Sequence, residues 1–236
     1  MNTPPTVRLY LFFANESDKA LILRRAKDRL YNLIGWDRLD DSFTEGQWIK
    51  KYVRPEFCSL SPNGQYFMYY VANADMRQRA SEHYTVISLP PWFTALALFP
   101  QGGLWCAGGH FLSNKQYVIE GGAAAKDIIG RATGLQQIVK GEKTKDCRTG
   151  LRLRNGQPAP LSRALRNQLL NGEAPQRNSA LDQYEAHAGC LYRLRNGDRH
   201  LIRDFTEMEP QFIRAPYETR PEEDVDEQWH PLMDET

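Results

Sequence analysis

Leu60-Ser61-Pro62-Asn63-Gly64-Gln65-Tyr66-Phe67-Met68-Tyr69-Tyr70 runs from an apolar start through a Pro-x-Gly turn into an aromatic run. Proline presets φ at about −65° and glycine supplies the positive φ that a tight reversal needs, so the stretch reads as a β-hairpin. An altered copy, Leu98-Phe99-Pro100-Gln101-Gly102-Gly103-Leu104-Trp105-Cys106, begins 38 residues later. Self-similarity at a period of roughly 40 residues is the mark of stacked strand units, as in β-propellers. The pattern describes a scaffold and carries no chemistry.

Strand signals fill the first 122 residues. Val7–Phe13, Ala20–Arg25, Leu30–Trp36, Gln47–Val53, Tyr84–Ser88, Trp92–Leu98 and Gln116–Glu120 are apolar or alternating runs rich in β-branched and aromatic residues. Ala26–Arg29 is a polar turn that makes a hairpin of the second and third runs. Pro90 and Pro91 cannot donate to a ladder and so separate two strands. Leu151-Arg152-Leu153-Arg154-Asn155-Gly156 returns 41 residues later as Tyr192-Arg193-Leu194-Arg195-Asn196-Gly197, and Asn-Gly is a strong hairpin signal. Helices are expected around Ala123–Ile129, at Ser162–Leu170 before Gly172, and at Ala180–His187 before Gly189. The expected fold is mainly β: propeller-like or stacked antiparallel sheets built from repeated hairpins, with short helical insertions. Residues 1–122 form its strand-rich half, 123–217 continue the same domain, and 218–236 form a flexible acidic tail.

Charge is unevenly placed. The net charge is +1, yet residues 218–236 hold eight acidic side chains against Arg220 alone, leaving +8 for residues 1–217. Such a tail is either solvated or offered to a basic partner. No apolar run approaches the roughly 18 residues of a membrane helix, and Met1–Thr6 lacks the basic and apolar regions of a secretory signal. Cys58, Cys106, Cys147 and Cys190 contain no C-x-x-C pair, which disfavours a disulfide framework and a structural zinc site. A reduced, cytoplasmic protein is expected.

Catalytic signatures are scarce. His83, His110, His187, His200 and His230 show no metal-ligand spacing, and no phosphate-binding glycine motif, G-x-S-x-G elbow or S-x-x-K occurs. Cys106 and His110 are close enough in sequence to make a thiolate–imidazole pair, but they read better as a buried thiol and a loop histidine. Arg152, Arg154, Arg193, Arg195, Arg199 and Arg203 alternate with apolar residues, as in a nucleic-acid surface or a solvated sheet face; a sequence pI of 7.7 favours the solvated face. Asp40-Asp41 reads as a turn.

Several blocks together resemble a family of uncharacterised bacterial all-β proteins. They are Leu21-Ile22-Leu23-Arg24-Arg25, Gly46-Gln47-Trp48, Leu60-Ser61-Pro62-Asn63-Gly64, Ser88–Leu98, and Asp204-Phe205 through Ala215-Pro216-Tyr217. Ala26-Lys27-Asp28-Arg29 departs from a Gly-Pro-Ser-Lys-like turn, and Cys106-Ala107 interrupts a longer glycine run. The resemblance lends no catalytic residues. By analogy with small bacterial all-β proteins that neutralise secreted, type VI-like toxins, it implies an immunity protein. The expectation is a non-enzymatic, cytoplasmic inhibitor that occludes a bacterial toxin, a nuclease in the sharpest form, with no cofactor, metal, membrane or nucleic-acid partner. The rivals are a hydrolase with an unrecognised active site and a nucleic-acid-binding module. Glu222, Glu223, Asp224, Asp226, Glu227 and Trp229 are the expected partner contacts, with Trp92 and His110 as second candidates.

Overall fold

The computed structural model describes residues 7–72, 83–101, 108–119, 134–138, 152–154, 157–158 and 183–218. The fold is mainly β. Among the described residues there is no α-helix; the one helical element is a 3-10 turn at Pro55–Phe57. A six-stranded antiparallel sheet joins β1 (Arg8–Phe13), β2 (Lys19–Arg25), β3 (Leu30–Asp37) and β4 (Ser42–Lys50) in sequence order. Beyond β1 it adds β12 (Arg152–Arg154) and β13 (Gln157–Pro158), with Leu11 opposite Leu153. The second sheet is an antiparallel meander of β5 (Ser59–Leu60), β6 (Phe67–Ala72), β7 (His83–Ser88) and β8 (Ala97–Gln101). The third combines β9 (Gly109–Phe111) and β10 (Gln116–Ile119) with a short parallel partner, β11 (Gln136–Gln137). The fourth is the meander β14 (Tyr184–His187), β15 (Cys190–Arg195) and β16 (Asp198–Asp204).

Three cores fix the order of these layers. Leu9, Leu11, Phe13, Ile22, Ile34 and Trp36 of the six-stranded sheet pack on Tyr184, Ala186, Leu191 and Phe205. Its opposite face, with Tyr10, Phe12, Leu21, Leu23 and Tyr31, packs on Leu60, Phe67, Tyr69, Val71 and Val86 of the second sheet. The far face of that sheet, with Met68, Ile87 and Phe99, packs on Phe111, Tyr117 and Ile119 of the third. The stack therefore runs fourth, first, second, third. The central strands of the two inner sheets are covered on both faces, which is why β1, β2, β6 and β7 are buried at nearly every position and show no inside–outside alternation of burial. β16, in an outer sheet, is mostly exposed.

The leading hairpin forms as the sequence predicts. Gly64 N–H donates to Ser61 O at 2.9 Å, Gly64 takes φ +75°, and Ser59 pairs with Met68 and Leu60 with Phe67. This is a turn with proline at its second position and a left-handed glycine closing it. The second copy departs from it. Pro100 is a strand residue opposite Tyr84, on β8 at the sheet edge, where a missing N–H costs no ladder bond. Gly102–Cys106 lie outside the described residues.

The helix expected at Ala180–His187 is corrected to strand over Tyr184–His187. Tyr184 and Ala186 are buried while Glu185 and His187 point outward, a period of two. Ala188 (φ +49°) and Gly189 (φ +85°) form the two-residue reversal into β15, so the glycine that looked like a helix cap closes a hairpin. The helices expected at Ala123–Ile129 and Ser162–Leu170 lie outside the described residues. The strand expected at Trp92–Leu98 begins only at Ala97, because Phe93 and Thr94 give their N–H groups to a side chain elsewhere.

Candidate partner-binding site

Proline chemistry sets the local shape of the site. The Pro90–Pro91 peptide is cis and Trp92 N–H donates to Leu89 O at 2.9 Å, so Leu89–Trp92 is a tight turn with a cis proline at its third position. Pro91 then approaches β4 so closely that only glycine fits opposite. A Cβ on Gly46 would lie 1.9 Å from Pro91 O and 2.7 Å from Leu33 O. Gln47, the next residue, ties the loop down. Its N–H donates to Pro91 O at 3.1 Å. Its Oε1 accepts from Phe93 N–H at 2.7 Å, Thr94 N–H at 2.8 Å and Thr94 Oγ1 at 3.1 Å, while its Nε2 donates to Ile213 O at 2.9 Å. From below, the buried Tyr69 hydroxyl donates to Phe93 O at 2.5 Å, and burial holds that phenol well above its ordinary pKa.

The segment after β16 closes the site from the other side. Tyr217 Oη donates to Thr94 O at 2.6 Å and accepts from Leu89 N–H at 3.3 Å, and its ring meets Trp92 edge-on at 6.1 Å. Glu218 reaches Thr94 Oγ1 at 3.5 Å. The start of this segment is anchored by Arg24, which is 2 % exposed: Nε donates to Phe205 O at 2.6 Å and Nη2 to Thr206 O at 3.0 Å, with the guanidinium over the Trp48 ring. Desolvation lowers the Arg24 pKa from its ordinary value, and two carbonyls and an indole face stand in for a counter-ion. Residues that the sequence holds in separate blocks, around Arg24, Gly46–Trp48, Pro90–Thr94 and Phe205–Tyr217, thus meet at one junction.

Of the expected contacts, Trp92 lies at this junction and is half-buried. Glu222, Glu223, Asp224, Asp226, Glu227 and Trp229 lie outside the described residues, four and more positions beyond Glu218. His110 is not a loop residue: it sits on β9 opposite Val118, is 2 % exposed, and offers no surface to a partner. Cys106 lies outside the described residues, so the suspected thiolate–imidazole pair has no geometry to weigh. Gln47, Tyr217 and Phe212, the last 50 % exposed beside Ile213, are the residues that reading for chemistry missed. The one local signal was Gly46 inside a strand run, where the β3–β4 register shifts.

The arginine-rich β15–β16 hairpin is engaged with the protein itself. Arg193 Nη2 pairs with Asp41 at 2.9 Å, Arg199 with Glu185 at 2.8 Å and Arg203 with Glu45 at 2.8 Å; Arg203 also lies over the Phe43 and Phe205 rings. Among the described residues no cluster of three or more His, Cys, Asp or Glu side chains has metal-binding geometry, and no helix is long and apolar enough to cross a membrane. No protein-family model matches the chain, and comparison with curated proteins and with solved structures finds no match.

Proposed function

We propose that this is a non-enzymatic binding protein, an immunity-type inhibitor that occludes a bacterial toxin, with a nuclease as the sharpest form of that reading. One observation carries it. A proline-shaped loop bearing Trp92 is fixed in place by Gln47 and Tyr217, and the chain leaves this point through Glu218 into the acidic sequence of residues 218–236. A rigid aromatic anchor beside a strong negative charge is what a tight complex with a basic cleft uses: the charge speeds encounter and the buried ring slows escape. The four-layer stack supplies the rigidity, and its face-to-face packing favours the stacked-sheet form of the fold expectation over a closed propeller. The arginine pairing just described weighs against a nucleic-acid role for the β15–β16 hairpin. The cytoplasm is the compartment in which such an inhibitor would act.

The test is stoichiometric binding to the product of the neighbouring gene, with rescue of cells that express that product. A 1:1 complex that blocks the toxin's activity is the expected result. Turnover of a substrate by the purified protein, abolished by a single carboxylate or cysteine substitution, would sink the reading.

A further inference from the structure

We infer that the end of the six-stranded sheet where Arg8, Arg25, Arg29 and Arg54 gather around Tyr52 is a binding site for the phosphate backbone of a single-stranded nucleic acid. Such a site is independent of the inhibitor reading and uses none of the residues that hold the Trp92 loop. Strand register brings the cations together. Arg8 on β1 lies directly opposite Arg25 on β2, and Arg25 opposite Tyr31 on β3. Cross-strand partners share a face, and like charges so placed destabilise a sheet. The β2–β3 turn adds Lys27 and Arg29, both exposed. Leu30 pairs with Lys50 on β4, after which the chain runs through Lys51 and Tyr52 to Arg54. Arg29 lies over the Tyr52 ring at 5.7 Å and Arg54 over it at 5.4 Å. Arg25 lies over Tyr31 at 5.9 Å, with the Tyr52 phenol among its electrostatic neighbours. The backbone here is fixed: Ala72 N–H donates to Tyr52 O at 2.9 Å, and Arg54 N–H to Tyr70 O at 3.0 Å.

This cluster differs from the other arginines in its want of carboxylates. Arg38, Arg193, Arg199 and Arg203 each have an acidic partner, so the β15–β16 arginines that the sequence offers as a nucleic-acid surface are already neutralised. Arg54 has Glu56 at 2.6 Å, but among the described residues Arg8, Arg25, Lys27, Arg29 and Lys51 have no carboxylate within salt-bridge distance. Residues 25–30 and 50–56 with Arg8 hold seven basic side chains against Asp28 and Glu56. Arg29 is also held at a cost. Leu30 N–H donates to Lys27 O at 3.0 Å, and Asp28 and Arg29 between them take φ of 56° and 63°. A two-residue turn of this kind favours glycine at its second place. An arginine there is strained, and strain of that sort collects at functional sites.

The chemistry of the cluster selects the occupant. A guanidinium laid on a ring keeps its N–H edge for an anion, and its fork matches the oxygens of a phosphate. The charges come from β1, the β2–β3 hairpin, the end of β4 and the approach to the 3-10 turn, so they suit an extended polyanion charged at every unit. Among the described residues there is no α-helix to enter a duplex groove. Cations interleaved with an aromatic side chain are what single-strand binders use.

The probe is a fluorescein-labelled oligothymidylate of about 12 nucleotides, titrated into the full-length chain by anisotropy over a range of salt. Micromolar binding is expected at about 50 mM salt, with log K falling against log salt at a slope of about −3, as for four phosphate contacts. Losing one contact removes about 0.7 from that slope, which is about eightfold in affinity at 50 mM. Arg29→Gly and Lys51→Gln are each expected to show that loss. Arg29→Gly should do so with its melting temperature kept or raised, because glycine relieves the turn. Should glycine loosen the hairpin instead, Lys51→Gln carries the comparison alone. Arg199→Gln, which removes a cation paired with Glu185 on another sheet, is expected to bind as the parent does. Four results overturn the inference: no binding tighter than about 1 mM at low salt; unchanged affinity in both Arg29→Gly and Lys51→Gln; an equal loss in Arg199→Gln, which would make net charge the cause; or an oligoglutamate that competes as well as oligothymidylate, which would make the occupant an acidic protein segment.

Discussion

Two turns in this protein are built on proline, and they are held in opposite ways. The Ser61–Gly64 turn closes with its own side chains, and distant residues (Glu16, Ser17 and Asn114) reach only its backbone: Gly64 N–H bonds to Ser61 O, Asn63 Oδ1 accepts from Ser61 Oγ and Gln65 N–H, and Tyr66 N–H bonds to Ser61 Oγ. The Leu89–Thr94 loop closes with residues from two other parts of the chain, Gln47 and Tyr217, which lie 47 and 123 positions from Thr94. A self-closed turn is a local folding instruction and tolerates change. A turn closed from a distance is a junction, and a change at any of its members is felt by all.

The sharpest way to break that contrast is Gly46→Ala. The new Cβ meets Pro91 O, Pro91 Cβ at 2.5 Å and Leu33 O, all of them backbone or ring atoms that cannot rotate aside. Either β4 leaves β3 or the Pro90–Thr94 loop lifts from the sheet. We expect a loss of roughly 4 kcal/mol, at the upper end for single substitutions, read as a large drop in the urea midpoint. An alanine variant within 1 °C of the parent in Tm would show that the loop is not seated on Gly46.

Gln47→Leu follows. It strips the acceptor from Phe93 N–H and Thr94 N–H and the donor from Ile213 O, keeping volume nearly constant. Leaving such groups unpaired near a core costs on the order of 1–3 kcal/mol. A Gln47→Glu control should restore acceptance from both N–H groups while still losing the bond to Ile213. If the leucine variant is as stable as the parent, the glutamine is an ornament of the loop.

These residues also show where sequence reading stops. The hairpins at Ser61–Gly64, Ala26–Arg29 and Asn196-Gly197 were legible because turn chemistry is written within a few residues of itself. The strand character of the inner sheets was legible because two-sided burial demands continuous apolar runs. Pro100 misled because a proline is equally at home in a turn and on an edge strand, and only the sheet order decides. Gly189 misled because a left-handed glycine ends a helix and reverses a hairpin alike. Of the site, Trp92 stood out by residue type, whereas Gln47 and Tyr217 act through partners that no local pattern names. His110 was taken for a loop residue because the glycines before it hide that β9 starts at Gly109.

Alkaline pH probes the junction from beneath. Burial pushes Tyr84 up to about 12 and raises Tyr31 and Tyr69 as well, the last donating its hydroxyl to Phe93 O. Unfolded tyrosine ionises at about pH 10. From there to about pH 12 the folded chain holds protons that the unfolded chain releases, so stability is intact below pH 10 and falls as pH rises. The Tyr84 shift alone is worth on the order of 2 kcal/mol by pH 12. Tyrosinate absorbance should rise in two steps, the second coinciding with loss of the near-ultraviolet dichroism. A single step near pH 10 with native dichroism intact would contradict the burial of these phenols.

The smallest effect belongs to the self-closed turn. Asn63→Ala removes the acceptor for Ser61 Oγ and Gln65 N–H, but it leaves untouched the turn's Gly64 N–H to Ser61 O bond. Asn63 N–H still donates to Asn114 Oδ1 at 2.8 Å, and Asn63 O still accepts from Ser17 Oγ at 3.0 Å, because both use the backbone. Gln65 N–H lies near solvent, where water replaces the lost partner at little cost, and the buried Ser61 Oγ keeps its bond from Tyr66 N–H. We expect a loss of about 1 kcal/mol, several-fold less than for Gly46→Ala. Hydrogen exchange should show faster opening confined to Gln65 and its neighbours, while Phe93 and Thr94 keep their protection. If Asn63→Ala instead costs as much as Gln47→Leu, or if protection falls at Phe93, then the Ser61–Gly64 turn is also a junction and the distinction between the two turns collapses.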